Sequence, residues 1–528
     1  MLMLILGTIV ATILIYYFIV KRLDYWKDKG VKQGTPIWIL ADNWGTLLRT
    51  QSLADMVQNV YNQCQGVRYA GMYQFFVPTL VLKDPDLIKQ ITVKDFDHFT
   101  DHRSFVAEDA NPLWGKNLFA LTGHKWRDMR AILSPSFTSS KMRAMFVLMS
   151  ECAENFVQHF QKKNEGVVTI EFKDTFSRFT NDVIATTAFG IQVDSLGQPK
   201  NHFYLMGKEA TDFSGFRKSL TFIGYFIFPK LYNFLKVQLF SDEVSAFFRQ
   251  IVGDTIKMRE EKNIVRPDMI NLLLEARKGI QRQEENGVID TGFSTARESD
   301  IVKSTKIPRD ISDMDITAQA MIFFFAGFDS VSGLMCFLAY ELAANPDIQN
   351  KLREEVRTTL EECEGKLTYE ALLKMNYMDM VVSEALRKWP IALATDRVCT
   401  KPYTIQPTRP DEKPLYLEKG EVLWLPIYGM HHDPEHFPDP ERFDPERFSD
   451  ENKGKIKPYT YFPFGLGPRN CIGSRFALLE TKIIIFHILQ HFELVPVEKS
   501  VIPLKICRGQ FNLTSEDGFW YGLKRISA

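Results

Sequence analysis

The chain has few cysteines, and their arrangement excludes a protein built on disulfide bonds. Seven cysteines are scattered over 528 residues, the number is odd, and no two are spaced as C-x-x-C. We therefore expect the body of the protein in a reducing compartment. An excess of one charge is also absent, because the formal net charge is −1, which argues against a nucleic-acid partner. With 45% hydrophobic residues, the chain is able to bury a large core.

Histidines are scarce as well, and only one group of them is close together in sequence. His431, His432 and His436 lie in a stretch rich in proline and aspartate. The stretch contains neither a cysteine nor two histidines spaced along a helix, so a solvated loop is favoured over a metal site.

Charged residues are missing from the first twenty positions, and Lys21-Arg22 follow directly. Such a run is just long enough to cross a bilayer as a helix, and no basic residues precede it, as they would in a cleaved signal peptide. Basic residues on its C-terminal side predict that this side stays in the cytosol. We expect a membrane anchor over residues 1–20, a linker and first helix over 21–60, and one large domain over 61–528.

The rest of the chain shows mainly helical periodicity. Apolar residues recur at helical spacing from Glu151 to Leu274. Residues Arg68–Leu82 have the composition of two short strands, and Asp84-Pro85 predicts a helix that begins at the proline. Residues Lys278–Asp313 are polar and charged, which is typical of a long solvated loop.

The stretch from Phe464 to Gly473 places one cysteine, Cys471, on a glycine-rich loop just before a strongly helical run. A thiolate there would lie at the positive end of a helix dipole, which lowers the pKa of the thiol and suits it to bind iron. Gly467 permits a sharp turn, Gly473 lets a flat cofactor approach the backbone, and Arg469 is placed to meet a carboxylate on that cofactor. Taken alone, a lone cysteine is more often a buried structural residue.

A long apolar helix, Met314–Ala344, contains an unusual interruption. Small side chains at Ala326 and Gly327 would open space beside the helix, and a glycine inside a helix costs about 1 kcal/mol. Asp329 and Ser330 bring an acid and an alcohol into an apolar run, where they could relay protons through water. The alternative is a bent helix whose hydroxyl bonds to its own backbone.

Two further pairs of residues share a helical face. Trp126 and Arg130 lie one turn apart and could clamp a carboxylate, although such a pair is more often packing plus a surface charge. Glu384 and Arg387 lie at i, i+3 on an apolar helix that ends at Pro390. An exposed pair of this kind contributes little, but the apolar surroundings here favour burial.

The cysteine stretch resembles the haem-thiolate signature of the cytochrome P-450 family, Phe-x-x-Gly-x-Arg-x-Cys-x-Gly, and every fixed position is filled. The interrupted helix resembles the acid–alcohol motif of the same family, with serine in place of the usual threonine. The chain is similar to microsomal members of the family. Residues Leu133–Thr138 and Phe323–Ser330 resemble the insect branch that includes enzymes of xenobiotic metabolism.

The resemblance implies a mainly α fold with small β-sheets, one large haem domain and an N-terminal anchor. It also implies haem b, with Cys471 as the axial iron ligand. The remaining cofactor contacts would come from Phe464, Gly473, Arg469, Trp126, Arg130 and Arg397, and further ones from His102 and Arg103. Ala326 and Gly327 would make room for dioxygen, and Asp329 and Ser330 would manage protons. Glu384 and Arg387 would pair with a later arginine, for which we choose Arg447 over Arg442.

The function implied is a monooxygenase that inserts one atom of O2 into a small apolar substrate, such as an insecticide or a plant toxin. No Rossmann or flavin motif is visible, so electrons would come from NADPH-cytochrome P-450 reductase at the endoplasmic reticulum membrane, with cytochrome b5 as a further candidate partner. Three alternatives stay open: a monooxygenase of an endogenous fatty acid or hormone, a non-catalytic haem-thiolate sensor or carrier, and a haem-free membrane-anchored interaction protein.

Overall fold

The computed structural model describes residues 21–34, 42–163, 165–212, 216–266, 268–279, 292–296, 311–510 and 512–526. Over these residues the chain is mainly helical, with small β-sheets, as the sequence predicts. The predicted membrane anchor, residues 1–20, lies outside the described residues.

The helices are numbered here in chain order. They are α1 Tyr25–Asp28, α2 Trp44–Leu47, α3 Leu53–Gln63, α4 Pro85–Lys89, α5 Pro112–Gly115, α6 Gly123–Leu133, α7 Ser139–Gln161, α8 Phe172–Ile184, α9 His202–Thr211, α10 Phe216–Ile227, α11 Pro229–Phe234, α12 Asp242–Lys262, α13 Met269–Arg277, α14 Asp313–Phe325, α15 Ser332–Ala344, α16 Pro346–Glu362, α17 Tyr369–Lys374, α18 Asn376–Lys388, α19 Ile427–His431 and α20 Ser474–His491. Wider π-helical turns span Gln90–Lys94, Ala185–Phe189 and Ala326–Val331.

The strands are β1 Tyr69–Gln74, β2 Val77–Leu82, β3 Val167–Glu171, β4 Thr395–Val398, β5 Tyr403–Ile405, β6 Leu415–Leu417, β7 Val422–Leu425, β8 Phe492–Pro496 and β9 Trp520–Arg525. They form sheets in the orders β1-β2-β7-β4, β3-β9-β8 and β5-β6. β1 and β2 are the hairpin predicted within Arg68–Leu82, paired antiparallel from Tyr69 opposite Leu82 to Gln74 opposite Val77. β2 and β7 are parallel.

The helix run α14 to α15 passes through the core of the molecule. It begins with a capping box, in which Ser312 Oγ accepts from the Asp315 N–H at 3.2 Å and Asp315 accepts from the Ser312 N–H at 2.9 Å. Residues Asp313–Ala344 are long and apolar enough to span a membrane by composition, yet 61% of the most apolar window is buried inside the protein. The run is therefore best explained as a core helix.

Residues predicted as a linker pack against the first sheet. Leu23, Trp26 and Val31 are buried, Gln33 forms a bridge with Gly71 of β1, and the Trp26 indole N–H donates to the Met72 carbonyl at 3.2 Å. The burial of these apolar side chains attaches residues 21–34 to the large domain.

Part of the predicted solvated loop 278–313 is also packed. Ser294 is buried, and its hydroxyl lies 3.0 Å from Ser383 Oγ and 2.6 Å from the Tyr461 hydroxyl. The Phe293 N–H donates to Asp379 at 2.8 Å. Residues 292–296 therefore dock on α18 and on the loop before Cys471, because a serine and an aromatic ring inside a polar stretch find specific partners there.

Candidate active site at Cys471 and the central helix

The loop that carries Cys471 is built by glycine and by backbone hydrogen bonds. Gly467 has φ +69°, and a Cβ there would lie 1.8 Å from the Thr92 carbonyl oxygen, so this turn requires glycine. The Cys471 N–H donates to the carbonyl of Phe464 at 2.8 Å. Gly473 has an ordinary φ of −92° and open space beside it, since an added Cβ would meet nothing closer than Phe137 at 4.0 Å.

The Cys471 side chain is exposed, although the protein surrounds it closely. Burial raises the pKa of the Cys471 thiol, while the Gly473 N–H and the Arg130 charge lower it without prevailing. The prediction that the helix end lowers this pKa is therefore wrong, because the pKa is raised overall. A metal cation bound to the sulfur would favour the thiolate form.

Arg130 binds the cysteine loop directly. Its guanidinium donates to the carbonyl oxygen and to the side-chain Oδ1 of Asn470, each at 2.8 Å. Because Asn470 precedes Cys471, this two-pronged contact from α6 fixes the position of the sulfur. Trp126, one turn earlier on α6, is buried, and the Arg469 guanidinium lies 4.2 Å from its ring centroid. Arg130 and Trp126, the pair predicted to bind a carboxylate, therefore contact the cysteine loop in this structure.

Arg469 is buried, and backbone carbonyls accept its hydrogen bonds. It donates to the carbonyls of Thr100 at 2.7 Å and Leu121 at 2.5 Å, and it lies 3.7 Å from Asp101. Burial, with the nearby charge of Arg397, lowers the pKa of Arg469 to about 9.

Arg397 on β4 is fully buried and donates to the carbonyls of Asp396 at 2.7 Å and Leu466 at 2.9 Å. Its Nε is buried without a hydrogen-bond partner among the described residues. Burial lowers the pKa of Arg397 to about 10, against the opposing charge of Asp396. Asp396 in turn accepts from the Arg103 N–H at 2.6 Å and lies 2.9 Å from His102 Nδ1.

These side chains fit a flat cofactor that carries carboxylates. Arg130, Arg397 and Arg469 are buried close enough together to influence one another, and Asp101 and Asp396 supply fewer negative charges. A buried excess of positive charge with an unpartnered N–H requires an anion. The open face at Gly473 and the accessible sulfur provide the surface on which a planar group would lie.

The central helix widens where the sequence predicts an interruption. Residues Ala326–Val331 form a π-helical turn, and the Phe328 carbonyl accepts from Thr180 Oγ1 at 3.0 Å and Ser332 Oγ at 2.8 Å. Ser330 Oγ donates to the Ala326 carbonyl. This backbone bond is the alternative that the sequence left open for this hydroxyl.

Ala326 is exposed in the middle of this buried helix and lines a cavity. Gly327 differs from the prediction that it opens space for dioxygen. A Cβ at Gly327 would lie 2.7 Å from Ile184 Cδ1, so the missing side chain permits close packing against α8 instead.

Asp329 is held by two residues from distant parts of the chain. Lys173 donates to its Oδ1 at 2.8 Å, and Asn512 donates to its Oδ2 at 2.6 Å. Together with Ser330 and Ala326, these residues line a cavity of about 180 Å³. The sequence analysis did not identify Lys173, Asn512 or Asn470 as site residues. Of the three, only Asn470 could have been found from the sequence, because it directly precedes Cys471.

Glu384 and Arg387 are completely buried and joined by two hydrogen bonds, 2.7 and 2.9 Å long. Glu384 also accepts from the Asp444 N–H at 2.9 Å and lies 3.5 Å from Arg447 Nε. Arg442 is exposed and contributes its carbonyl to Arg387 at 3.2 Å. Burial raises the pKa of Glu384, and the Arg387 contact opposes that shift.

Two of the three clustered histidines, His431 and His432, are buried rather than solvated, whereas His436 is half-buried. His431 and His432 lie at the end of α19, and His431 Nε2 accepts from the Phe462 N–H at 3.0 Å. Burial lowers the pKa of His432 to about 3. Both rings are therefore neutral packing groups behind the cysteine loop.

Comparison with known proteins identifies the family of this chain. The family model for Cytochrome P450 matches residues 33–520. Cytochrome P450 9e2 of Blattella germanica is 48% identical over 516 residues, which cover 95% of this chain and 94% of that protein. Probable cytochrome P450 9f2 of Drosophila melanogaster is 44% identical, with 97% of each chain covered. Cytochrome P450 6k1 of Blattella germanica is 36% identical, with 97% of this chain and 95% of that protein covered.

Proposed function

Because the chain belongs to the cytochrome P450 family, and is thus a haem-dependent monooxygenase, we propose that Cys471 is the axial ligand of the haem iron. The observation that carries this proposal is the accessible sulfur on a loop fixed by Arg130 and Asn470. A bound haem supplies the one-electron and O2 chemistry, and a thiolate ligand favours O–O cleavage.

The residues around the loop would hold the cofactor. Arg397, with its unpartnered Nε, is the best candidate to bind a haem propionate. Arg469, Arg130 and Trp126 contribute charge and shape while they fix the loop. Gly473 and Phe464 border the surface against which a planar ring would lie. Glu384, Arg387 and Arg447 would support the fold around this arrangement through contacts with one another.

The widened turn of the central helix would manage protons and water. Asp329 exchanges protons with water in the cavity, and Ser330 passes them on once its bond to the Ala326 carbonyl is replaced. Ala326 leaves space at the cavity wall. Serine lacks the methyl group that restricts threonine at χ1, so the hydroxyl has more orientations available and proton delivery is less tightly coupled to electron supply.

The reaction we propose for this chain is insertion of one oxygen atom into a small apolar xenobiotic, with the other atom leaving as water. Electrons come from NADPH through a flavoprotein reductase, with cytochrome b5 as a second donor. Residues 1–20 anchor the protein in the endoplasmic reticulum membrane, with the catalytic body in the cytosol. The uncharged N-terminal run followed by Lys21-Arg22 supports this location.

The test is turnover of the full chain in membranes with NADPH, reductase and isotopically labelled O2. Apolar insecticides and plant toxins form one substrate panel, and fatty acids and hormones form another. We expect labelled oxygen in products of the first panel. Products from the second panel alone would overturn the xenobiotic proposal, and the absence of product from both panels would contradict the proposed reaction.

A further inference from the structure

Asp329 has a partner that the acid–alcohol pattern does not include. Lys173 lies in the first turn of α8, and its Nζ is 2.8 Å from Asp329 Oδ1, 3.1 Å from the Asp329 carbonyl and 2.8 Å from Ser332 Oγ. An ammonium group has three N–H donors. Each donor therefore has one acceptor, and all three acceptors belong to the widened turn or to the residue that follows it.

The second carboxylate oxygen is held from another direction. Asn512 precedes β9, and its amide donates to Asp329 Oδ2 at 2.6 Å. Two elements that are far apart in sequence thus fix both oxygens of one carboxylate. Such double support restricts the side chain to one orientation.

Ser330 is excluded from this arrangement. Its hydroxyl donates to the Ala326 carbonyl, although Ser330, Asp329, Lys173 and Asn512 line the same cavity. The side chains of Lys173 and Asp329 are 30% and 26% exposed, so water reaches the ion pair. Both charged neighbours of Lys173 in the chain have other partners: Asp174 pairs with Arg178 at 2.7 Å, and Glu171 accepts backbone N–H groups of Asp174 and Phe519.

We propose that Lys173 and Asn512 are positioning residues that hold Asp329 as a fixed carboxylate, and that this contact controls proton exchange between Asp329 and the cavity. The proposal rests on the role in proton supply proposed above for Asp329. The contacts with Lys173 and Asn512 keep the Asp329 carboxylate in one orientation beside the cavity. They must loosen before the carboxylate can turn toward Ser330.

The test is Lys173→Met in the haem-loaded full chain with reductase and NADPH. We expect product per NADPH to fall by about fivefold or more, with more peroxide, because the proton donor is no longer held in place. Lys173→Arg keeps the charge and should recover most of the product yield.

Lys29→Met is the matched control. Lys29 Nζ contacts Glu421 at 2.6 Å and the Tyr416 carbonyl at 3.0 Å, and its side chain is 22% exposed. This variant loses a similar ion pair whose residues do not line the cavity, so product yield should stay at the wild-type value.

A double-mutant cycle separates positioning from general stability. On the Asp329→Asn background, Lys173→Met should cause no further loss of product yield, and the Tm change that it causes should shrink. A Lys173→Met variant with the product yield of wild type, or with equal effects on both backgrounds, would overturn the inference. If wild-type protein forms no oxygenated product, the proposed function itself fails, whereas the Tm cycle still tests the contact.

Discussion

Two groups of charged side chains in this molecule, a closed network and an open network, differ in contact with water. The closed network comprises Glu384 and Arg387, which have no exposed side-chain area, and the nearby Arg447. The open network comprises Asp329, Lys173 and Asn512 around a cavity. Both groups contain an ion pair at 2.7–2.8 Å.

The difference in burial suggests different roles for similar chemistry. A fully buried ion pair cannot exchange protons with water, and removal of one partner strands the other charge. A partly exposed ion pair contributes little to stability, but it can exchange protons with water in the cavity. We therefore expect the closed network to control stability and haem retention, and the open network to control how oxygen is used.

The largest expected effect is on the closed network. Glu384→Ala should lower the free energy of unfolding by about 3–5 kcal/mol, because Arg387 is left buried without its carboxylate. Urea denaturation and the haem content of purified protein measure this loss. Glu384→Gln keeps the shape and provides a variant for measurement if the alanine variant does not fold.

The matched control for this prediction is Glu354→Ala. Glu354 also pairs with an arginine at i, i+3, Arg357 at 2.5 Å, but the two side chains are 62% and 61% exposed. We expect no measurable change in stability for this variant. Equal losses for Glu354→Ala and Glu384→Ala would contradict the distinction based on burial.

Glu480 on α20 sharpens the comparison, because it is as buried as Glu384 but neither oxygen has a hydrogen-bond partner among the described residues. Burial raises the pKa of Glu480 well above its usual value. A carboxyl whose pKa is raised on folding stays protonated while the unfolded chain ionises, so stability is lost as pH rises above the unfolded pKa of about 4.3.

Glu480→Gln should therefore stabilise the protein at pH 7 by at least about 1 kcal/mol, and the gain over wild type should disappear toward pH 4. Thermal unfolding at several pH values measures it. A variant less stable than wild type at pH 7 would indicate that the carboxyl has a partner after all.

Ser330 tests the open network. Ser330→Ala should lower product per NADPH roughly tenfold with little change in Tm, because the side chain bonds only its own helix and lines the cavity. Ser330→Thr keeps the hydroxyl and restricts its χ1 angle, so product per NADPH should match or exceed that of wild type. Loss of haem from Ser330→Ala, rather than loss of product, would show that Ser330 supports the fold and not proton delivery.

The smallest expected effect distinguishes Arg447 from Arg442. Arg447 lies 3.5 Å from Glu384 without a hydrogen bond between these groups and is partly exposed, so Arg447→Ala should cost about 1 kcal/mol. Arg442 is exposed and contributes only its backbone carbonyl, so Arg442→Ala should leave urea unfolding unchanged. The reverse order would show that Arg442 rather than Arg447 supports the closed network.

Local patterns were sufficient to predict local structure. The hairpin β1–β2 lies within the predicted strands, and Asp84 accepts from the Leu87 N–H at 2.8 Å at the start of the helix that begins at Pro85. Turn and cap residues act within a few positions of themselves, so their effect can be derived from sequence. The break at Ala326–Val331 was predicted for the same reason.

The partners of these residues could not be derived in the same way. Lys173 and Asn512 lie 156 and 183 positions from Asp329, and no local pattern links them. The helical face of Arg130 and the position of Arg469 on the cysteine loop were evident from the sequence. Whether their N–H donors meet a cofactor or neighbouring carbonyls depends on tertiary packing. The direction that Gly327 faces depends on α8, which packs against it.

The most direct test of the account is the absorption spectrum of the dithionite-reduced protein with carbon monoxide, for wild type, Cys471→His and Cys507→Ser. Cys507 is a half-buried cysteine near the C-terminus and serves as the control. We predict a strongly red-shifted Soret band in wild type and Cys507→Ser that is absent from Cys471→His. An unshifted band in wild type, or a shifted band that persists in Cys471→His, would contradict the assignment of Cys471 as the haem ligand.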